Sequence, residues 1–414
     1  MDKKIKVLAL PSDKVGGVGY FRSSQPHIAL QNLFGDEFDV TIDYEPYTKP
    51  LQWYDQFDIV HYSKNIGRSF DAHKQISAYL KEKGIIQVLD IDDYWKLGTF
   101  HPMGMSTQKN KTDEKIVDNI RNADYVTTTT ELFAKEIRKH NKNVFVIPNA
   151  IDPNEEQFKP KPTYSDRIRF GIICGSSHEH DINLLKGLTN SLGREYLDKM
   201  QIVLCGFDLN GTMTVIDPKT NQRTQRPLKP TESVWFRYEM VLTDNYKLVS
   251  PEYKDFLLKF IPDAEYPNVE NEMYRRCWTK NIRQYATHYN NIDVLLAPLR
   301  ECDFNKFKSQ LKEEEAGFFH KGIIASNYGA YTIDLVNIFN KDGSINKDGN
   351  ALLVDTNKNH KQWYKYITRL IKEPELIPML QENLYNLVKD KYSIETVTKD
   401  RAKIYKEIVE KNTK

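Results

Sequence analysis

The sequence predicts an α/β protein built from two Rossmann-like domains. Three observations predict it. Short apolar, β-rich runs alternate with longer amphipathic stretches, the pattern of a parallel sheet covered by helices on both faces. The alternation stops at a polar stretch, Asn154–Arg167, that carries Pro160 and Pro162 with Pro153 at its edge, and then restarts. The length, 414 residues, predicts two or three domains at about 150 residues each.

The first series begins with Lys6–Leu10 (KVLAL), a buried first strand. The strands Phe38–Ile42, Ile59–Tyr62, Ile86–Ile91, Tyr125–Thr128 and Val144–Ile147 follow, and the segments Gln25–Phe34, Ala72–Lys83, Thr112–Arg121 and Glu131–His140 between them are helix-like. Residues 1–155 therefore form the N-terminal domain and 156–167 a linker.

The second series has strands at Ile168–Ile173, Gln201–Cys205, Asp293–Ala297, Gly322–Ala325 and Ala351–Val354, with a helix over Asp181–Leu192. It occupies 168–385 and carries an inserted hairpin within 207–230, turning at Asp217-Pro218. Residues 219–229 of the insertion hold Lys219, Arg223, Arg226 and Lys229 and no acid. From about Lys358 the 3.6-residue period continues, and residues 386–414 hold a last helix, at about Ile394–Val409, that packs back on the N-terminal domain.

Composition narrows the function. Lys plus Arg is 59 against 57 for Asp plus Glu, a net charge of +2, which argues against a protein that coats a polyanion. Hydrophobic residues make up 40% and aromatics 12%, enough to build cores. The cysteines at 174, 205, 277 and 302 form no CxxC pair, so neither a zinc ribbon nor a disulfide framework is indicated, and a reducing compartment fits. The apolar run Ile5–Leu10 is too short for a secretory signal, and no stretch of about 18 apolar residues occurs. A cytoplasmic protein, touching a membrane at most peripherally, is expected.

Four segments carry candidate chemistry. Gly16-Gly17-Val18-Gly19 leads from the first strand toward a helix, with Arg22 following. Glycines there let backbone amides approach a phosphate or sugar, and a helix start favours an anion. The segment is not GxGxxG, and the competing reading is a plain turn. Asp90-Ile91-Asp92-Asp93 ends a strand at the sheet edge where open α/β folds bind ligands; its i, i+2 carboxylates could hold a divalent metal on a nucleotide diphosphate, a use that belongs to a different, single-domain architecture, or take substrate hydroxyls, or cap a helix. Gly175-Ser176-Ser177-His178-Glu179-His180-Asp181 joins a strand to a helix, so its amides can cradle phosphate or its Ser and Asp can simply cap. Its His-x-His-Asp run invites a metal, but no further His or Cys cluster supports one.

The fourth segment is the most specific. After Ala297-Pro298-Leu299, a helix expected from near Asn305 places Lys308, Lys312 and Glu315 at i, i+4 and i+7, on one face. Lys308 and Ser309 would fall in its first turn, near a diphosphate, and Glu315 two turns on could accept two ribose hydroxyls. A solvated charged face is the competing reading, because Glu313 and Glu314 crowd the same helix.

At this point the sequence resembles retaining glycosyltransferases of the GT-B fold, particularly the family 4 group (glycosyl transferases group 1). The matching residues are Pro298, Leu299, Phe304, Asn305, Lys308, Ser309, Leu311, Lys312, Glu315, Ala316 and Gly317, then Lys321-Gly322, Ile323-Ile324-Ala325-Ser326 and Gly329. Asp124 in ADYVTTTT, Pro148-Asn149, the loop 16–19 and the segment 171–181 extend the similarity over about residues 5–400. Two departures stand out. The family's Glu-x7-Glu pair has Phe307 at its first position, and the usual Arg/Lys pair after Gly175 is missing.

The resemblance implies that the N-terminal domain receives the acceptor and the C-terminal domain a nucleotide-sugar, a UDP- or GDP-sugar first. The sugar is then transferred with retention and without a metal or cofactor. Donor binding is expected from Gly17, Gly19, Arg22, Gly175, Ser176, Lys308, Ser309, Lys312 and Glu315, with Asp92, Asp93 and His178 near the sugar or acceptor. Lys308, Lys312 and Arg22 would replace the missing diphosphate cations. The expected acceptor is a glycan, in surface polysaccharide or related synthesis. Two alternatives remain: transfer onto modified bases of DNA, suggested by the basic hairpin and the 24 tyrosines, and non-catalytic binding of a nucleotide-sugar or glycan, suggested by Phe307.

Overall fold

Six parallel strands form the first sheet, in the order β2-β1-β3-β4-β5-β6: β1 (Ile5–Leu10), β2 (Phe38–Ile42), β3 (Ile59–Ser63), β4 (Ile86–Ile91), β5 (Tyr125–Thr128) and β6 (Val144–Val146). The computed structural model describes residues 3–412 apart from 68, 100, 162, 217–221 and 356–358. All residues of β3, β4 and β5 are buried, which is why they read as near-continuous apolar runs. Ile76, Leu80, Ile116, Ile120, Phe133 and Ile137 of three helices cover one face. Leu30 and the last helix, Ile394–Asn412, cover the other through Ala402, Tyr405 and Ile408, packed with Val7, Phe38 and Ile59.

The second sheet is also parallel, in the order β11-β8-β7-β12-β13-β14: β7 (Ile168–Ile173), β8 (Met200–Phe207), β11 (Tyr274–Trp278), β12 (Val294–Ala297), β13 (Gly322–Ser326) and β14 (Leu352–Val354). One face packs on Trp235, Tyr238, Trp363 and Leu370, the other on Tyr289, Ala316, Leu384 and Val388. The insertion is the antiparallel pair β9 (Thr212–Ile216) and β10 (Arg223–Pro227). The expected turn at Asp217-Pro218 and Lys219, like Pro162 of the linker, lies outside the described residues.

The structure departs from the sequence expectations in four places. Strand β11 was not expected, because Arg275 and Arg276 interrupt its apolar pattern; Arg276 is nonetheless buried, its Nε donating to Glu239 at 2.9 Å and its guanidinium lying 4.1 Å from the Phe207 ring centre. The helix expected over Asp181–Leu192 is broken into Glu179–Ile182, a 3-10 turn Asn183–Leu185 and Leu188–Ser191, with Gly187 at φ +86° ahead of the last piece. The helix expected from Asn305 is two pieces, Asp303–Lys306 and Leu311–Phe318, so Lys308 and Ser309 lie between helices and not in a first turn. In the expected linker, Gln157 and Phe158 are buried, and Phe158 joins the second domain's core.

The chain passes between the sheets a second time at Tyr392–Ile394. Tyr392 belongs to the second domain's core, while Ile394 packs with Ile147 and Ala150 of the first. Phe307 makes a further connection: it belongs to the second half of the chain, but its ring sits 4.9 Å from Tyr94 and 5.3 Å from Phe133 in the first domain's core.

Candidate active site

The C-terminal edges of the two sheets face each other across a cavity of about 390 Å³. Each wall is built by loops that leave parallel strands. From the first domain come Gly17, Val18, Phe21 and Arg22 after β1, Asp92 and Asp93 after β4, and Asn149 after β6. From the second come Cys174, Gly175 and His178 after β7, and Lys308, Ser309, Lys312 and Glu315 after β12.

The loop after β1 is fastened before it reaches the cavity. The Asp13 carboxylate accepts from the amides of Val15 (2.9 Å) and Gly16, and a Cβ on Gly19 would collide with the Asp13 carbonyl. Gly17 lines the cavity, whereas Gly19 does not; its place in the sequence reflects this close approach. A π-helical turn over Gly19–Ser24, an insertion common at functional sites, then runs straight into the helix Gln25–Phe34. Its residue Arg22 is 1% exposed and its donors are largely spent. Nε and Nη2 grip Asp90 at 3.0 and 2.7 Å, while Nη1 donates to the Ile147 carbonyl (2.8 Å) and to Asn149 (3.2 Å). Arg22 reaches the cavity wall as the centre of a clamp that ties β1, β4 and β6 together, and Thr127 adds a 2.7 Å bond to Asp90.

Asp92 stands 3.4 Å from the Lys64 ammonium. Burial pushes its carboxyl above the ordinary value and Lys64 opposes the shift. Asp93 is half-buried beside it.

Across the cleft, His178 donates from Nδ1 to Asp181 at 2.7 Å, which leaves Nε2 as an acceptor. Burial, helped by the charge of Lys308, pushes His178 down to about 4, so the ring is neutral at pH 7. Asp181 also accepts from the Arg300 amide and from Asn305, both at 2.8 Å, and so locks the loop after β7 to the loop after β12. Gly175 lines the cavity, but Ser176 faces a separate hollow beside the hairpin.

The helix Leu311–Phe318 supplies the most concentrated chemistry. Lys312, in its first turn, donates to the Ile173 carbonyl, and burial lowers its pKa. Lys308 lies against the Phe304 ring, 4.9 Å from its centre. Glu315 is buried, accepts from Tyr285 and from Tyr289 (2.7 Å), and has its pKa raised by burial. Glu313 and Glu314 are fully buried, not solvated, so the charged-face reading of this helix does not apply.

Three contributors to the site are not singled out by the sequence reading: Tyr285 and Tyr289 hold Glu315, and Lys64 faces Asp92. Asn305 and Asp181, read there as a helix start and a cap, couple the two loops. The i, i+4 spacing was the available signal for the tyrosines, but the acid they serve lies 26–30 residues further on. The hairpin's Arg226 is chelated by Glu232 through two 2.7 Å bonds, so an acid from just beyond the acid-free stretch neutralises it.

No protein-family model matches the sequence, and no curated protein matches it. Solved structures do resemble the fold. One is Anabaena HepE in complex with UDP and glucose (11% identical, 97% of this chain and 99% of that chain covered, TM-score 0.58). Another is the catalytic domain of starch synthase IV from Arabidopsis thaliana bound to ADP and acarbose (13%, 98% and 99%, TM-score 0.58). A third is an α-glucosyltransferase in complex with UDP-glucose and DNA containing an abasic site (14%, 97% and 98%, TM-score 0.50). At such identities the likeness establishes the fold. It is GT-B: two Rossmann-like domains facing across a cleft, with a C-terminal helical extension.

Proposed function

We propose that the cavity binds a nucleotide-sugar and that the protein transfers the sugar to a carbohydrate hydroxyl with retention of configuration. One observation carries this reading: Lys308, Ser309, Lys312 and Glu315 converge on one interdomain cavity with Gly17, Asp92 and Asp93 opposite. The nucleoside diphosphates UDP and ADP named with the similar structures support the donor class.

In this reading Lys308, Lys312 and the start of helix Leu311–Phe318 hold the diphosphate. Glu315, braced by Tyr285 and Tyr289, accepts the ribose hydroxyls. The barrier is departure of the nucleoside diphosphate from an oxocarbenium-like carbon. Fixed cations beside the departing phosphate lower it without a metal. The acceptor oxygen then bonds to the anomeric carbon on the face the phosphate leaves, and its proton passes to a phosphate oxygen. Neutral His178 and the pair Asp92 and Asp93 accept hydrogen bonds from sugar and acceptor hydroxyls. A second interdomain cavity of about 280 Å³, lined by Tyr94, Lys96, His101, Ser177 and Phe304, offers the acceptor a route in. The chelation of Arg226 favours a glycan over DNA as acceptor, because it removes one of the hairpin cations that a phosphate backbone would use. Phe307 needs no loss of activity to explain it, since its ring serves the contact between domains.

A panel of UDP-, GDP-, ADP- and CMP-sugars in a thermal-shift assay tests the donor site, since a ligand that binds the folded state raises apparent stability. One nucleotide class should stabilise the protein, and release of the matching diphosphate should follow on adding acceptor. A flat response across the panel counts against the reading.

A further inference from the structure

Behind the donor site, the second sheet places two cysteines and a histidine together. Cys205 on β8 and Cys277 on β11 are direct register partners on neighbouring parallel strands, so their side chains share a face. His288 comes from the 3-10 segment Tyr285–Asn291 that packs on that face. The two sulfurs and an imidazole nitrogen all lie within 4.8 Å of one another. His288 is 2% exposed, and neither of its ring nitrogens has a hydrogen-bond partner among the described residues. A buried imidazole left without partners is costly, and two soft sulfurs beside it point to a ligand.

We propose that Cys205, Cys277 and His288 form a structural site for one thiophilic d10 cation, Zn(II) or Cu(I). Two thiolates and a neutral imidazole carry a charge of about −2, which balances a divalent ion and makes its burial nearly neutral in net charge. With bonds of about 2.3 Å to sulfur and 2.0–2.1 Å to nitrogen, tetrahedral ligand atoms stand roughly 3.5–3.8 Å apart, so contractions of no more than about 1.3 Å close the site. Binding replaces the thiol protons, which leave to solvent, with the metal. Cys277 is only partly buried and gives the ion an entry side. The segment that carries His288 also presents Tyr285 and Tyr289 to Glu315, so the ion would fasten the back of the donor site.

The test uses the full chain, purified without chelator and analysed for metals by mass spectrometry. About one equivalent of zinc or copper per chain is expected, with the analysis naming which. Cobalt(II) added to the stripped protein should give thiolate charge-transfer absorption and the strong visible bands of a tetrahedral ion. Both signals should disappear in Cys277→Ala and His288→Phe and persist in Cys302→Ala. Should the first two variants misfold, the cobalt titration of the wild type still decides. Absence of bound metal together with absence of a cobalt–thiolate signal in the wild type overturns the proposal. So does a Cys205–Cys277 disulfide, read as a two-proton mass deficit and two unreactive thiols. Nucleotide binding plays no part in these readouts, so they stand or fall apart from the donor-site reading.

Discussion

Glu314→Gln should remove a defined part of the protein's pH-dependent stability. Glu314 is fully buried, and neither of its carboxylate oxygens has a hydrogen-bond partner among the described residues. Burial pushes its pKa up to about 8, with Glu315 adding to the shift and Arg22 opposing it. The folded state therefore keeps a proton that the unfolded chain releases near its ordinary value of about 4.3. Between those values the folded state binds more protons than the unfolded, so stability falls as pH rises, by about 1.4 kcal/mol per pH unit. Between pH 5 and 8 this one group contributes a loss of about 4 kcal/mol. The amide of Gln carries no charge at either pH, so the variant keeps the desolvation cost of a polar group but loses the slope. Urea unfolding followed by tryptophan fluorescence at pH 5, 6, 7 and 8 gives the difference between variant and wild type. That difference should move steadily in the variant's favour as pH rises. Parallel profiles would mean that the carboxyl titrates alike in both states, and the reasoning from its burial would fail.

Lys308→Ala should lower kcat by about 100- to 1000-fold while leaving the unfolding midpoint nearly unchanged, which separates a cation acting on the leaving phosphate from a structural one. Arg22→Ala strands Asp90 as an uncompensated buried charge and should cost about 3–5 kcal/mol in denaturant unfolding, a loss expected of a clamp and not of a phosphate contact. Phe307→Ala should cost about 3–5 kcal/mol and raise the radius of gyration measured by X-ray scattering as the domains lose their shared aromatic cluster. Because His178 titrates at about 4, the kcat profile from pH 5.5 to 8 should show no histidine limb near 6.5, and a limb there would contradict its neutral, Asp181-bound state.

The strands were legible because burial on both faces writes a simple signal, a run of apolar residues bounded by polar ones. Where a strand buries charge instead, as β11 does by pairing Arg276 with Glu239, that signal disappears, and the partner that makes burial affordable stands 37 positions away. Arg22 shows the same limit at the site. Its position after a glycine loop reads as an anion contact, but its partner Asp90 is 68 residues distant and only the fold brings them together. In the fourth segment Lys308, Lys312 and Glu315 do reach one cavity, although the helix expected to align them is interrupted at 307–310. The interruption is what lets Phe307 turn toward the first domain while the lysines turn toward the cavity.

The two chain crossings have a mechanical consequence. They touch: the Ile151 amide donates to the Tyr392 carbonyl at 2.9 Å, and the Ile394 amide donates to the Ile151 carbonyl at 2.8 Å. A pair of crossings bonded to each other at one place resists sliding more than turning, so any opening of the cleft is expected to pivot near residues 151 and 393 and to have to break the contacts of Phe307 with Tyr94 and Phe133.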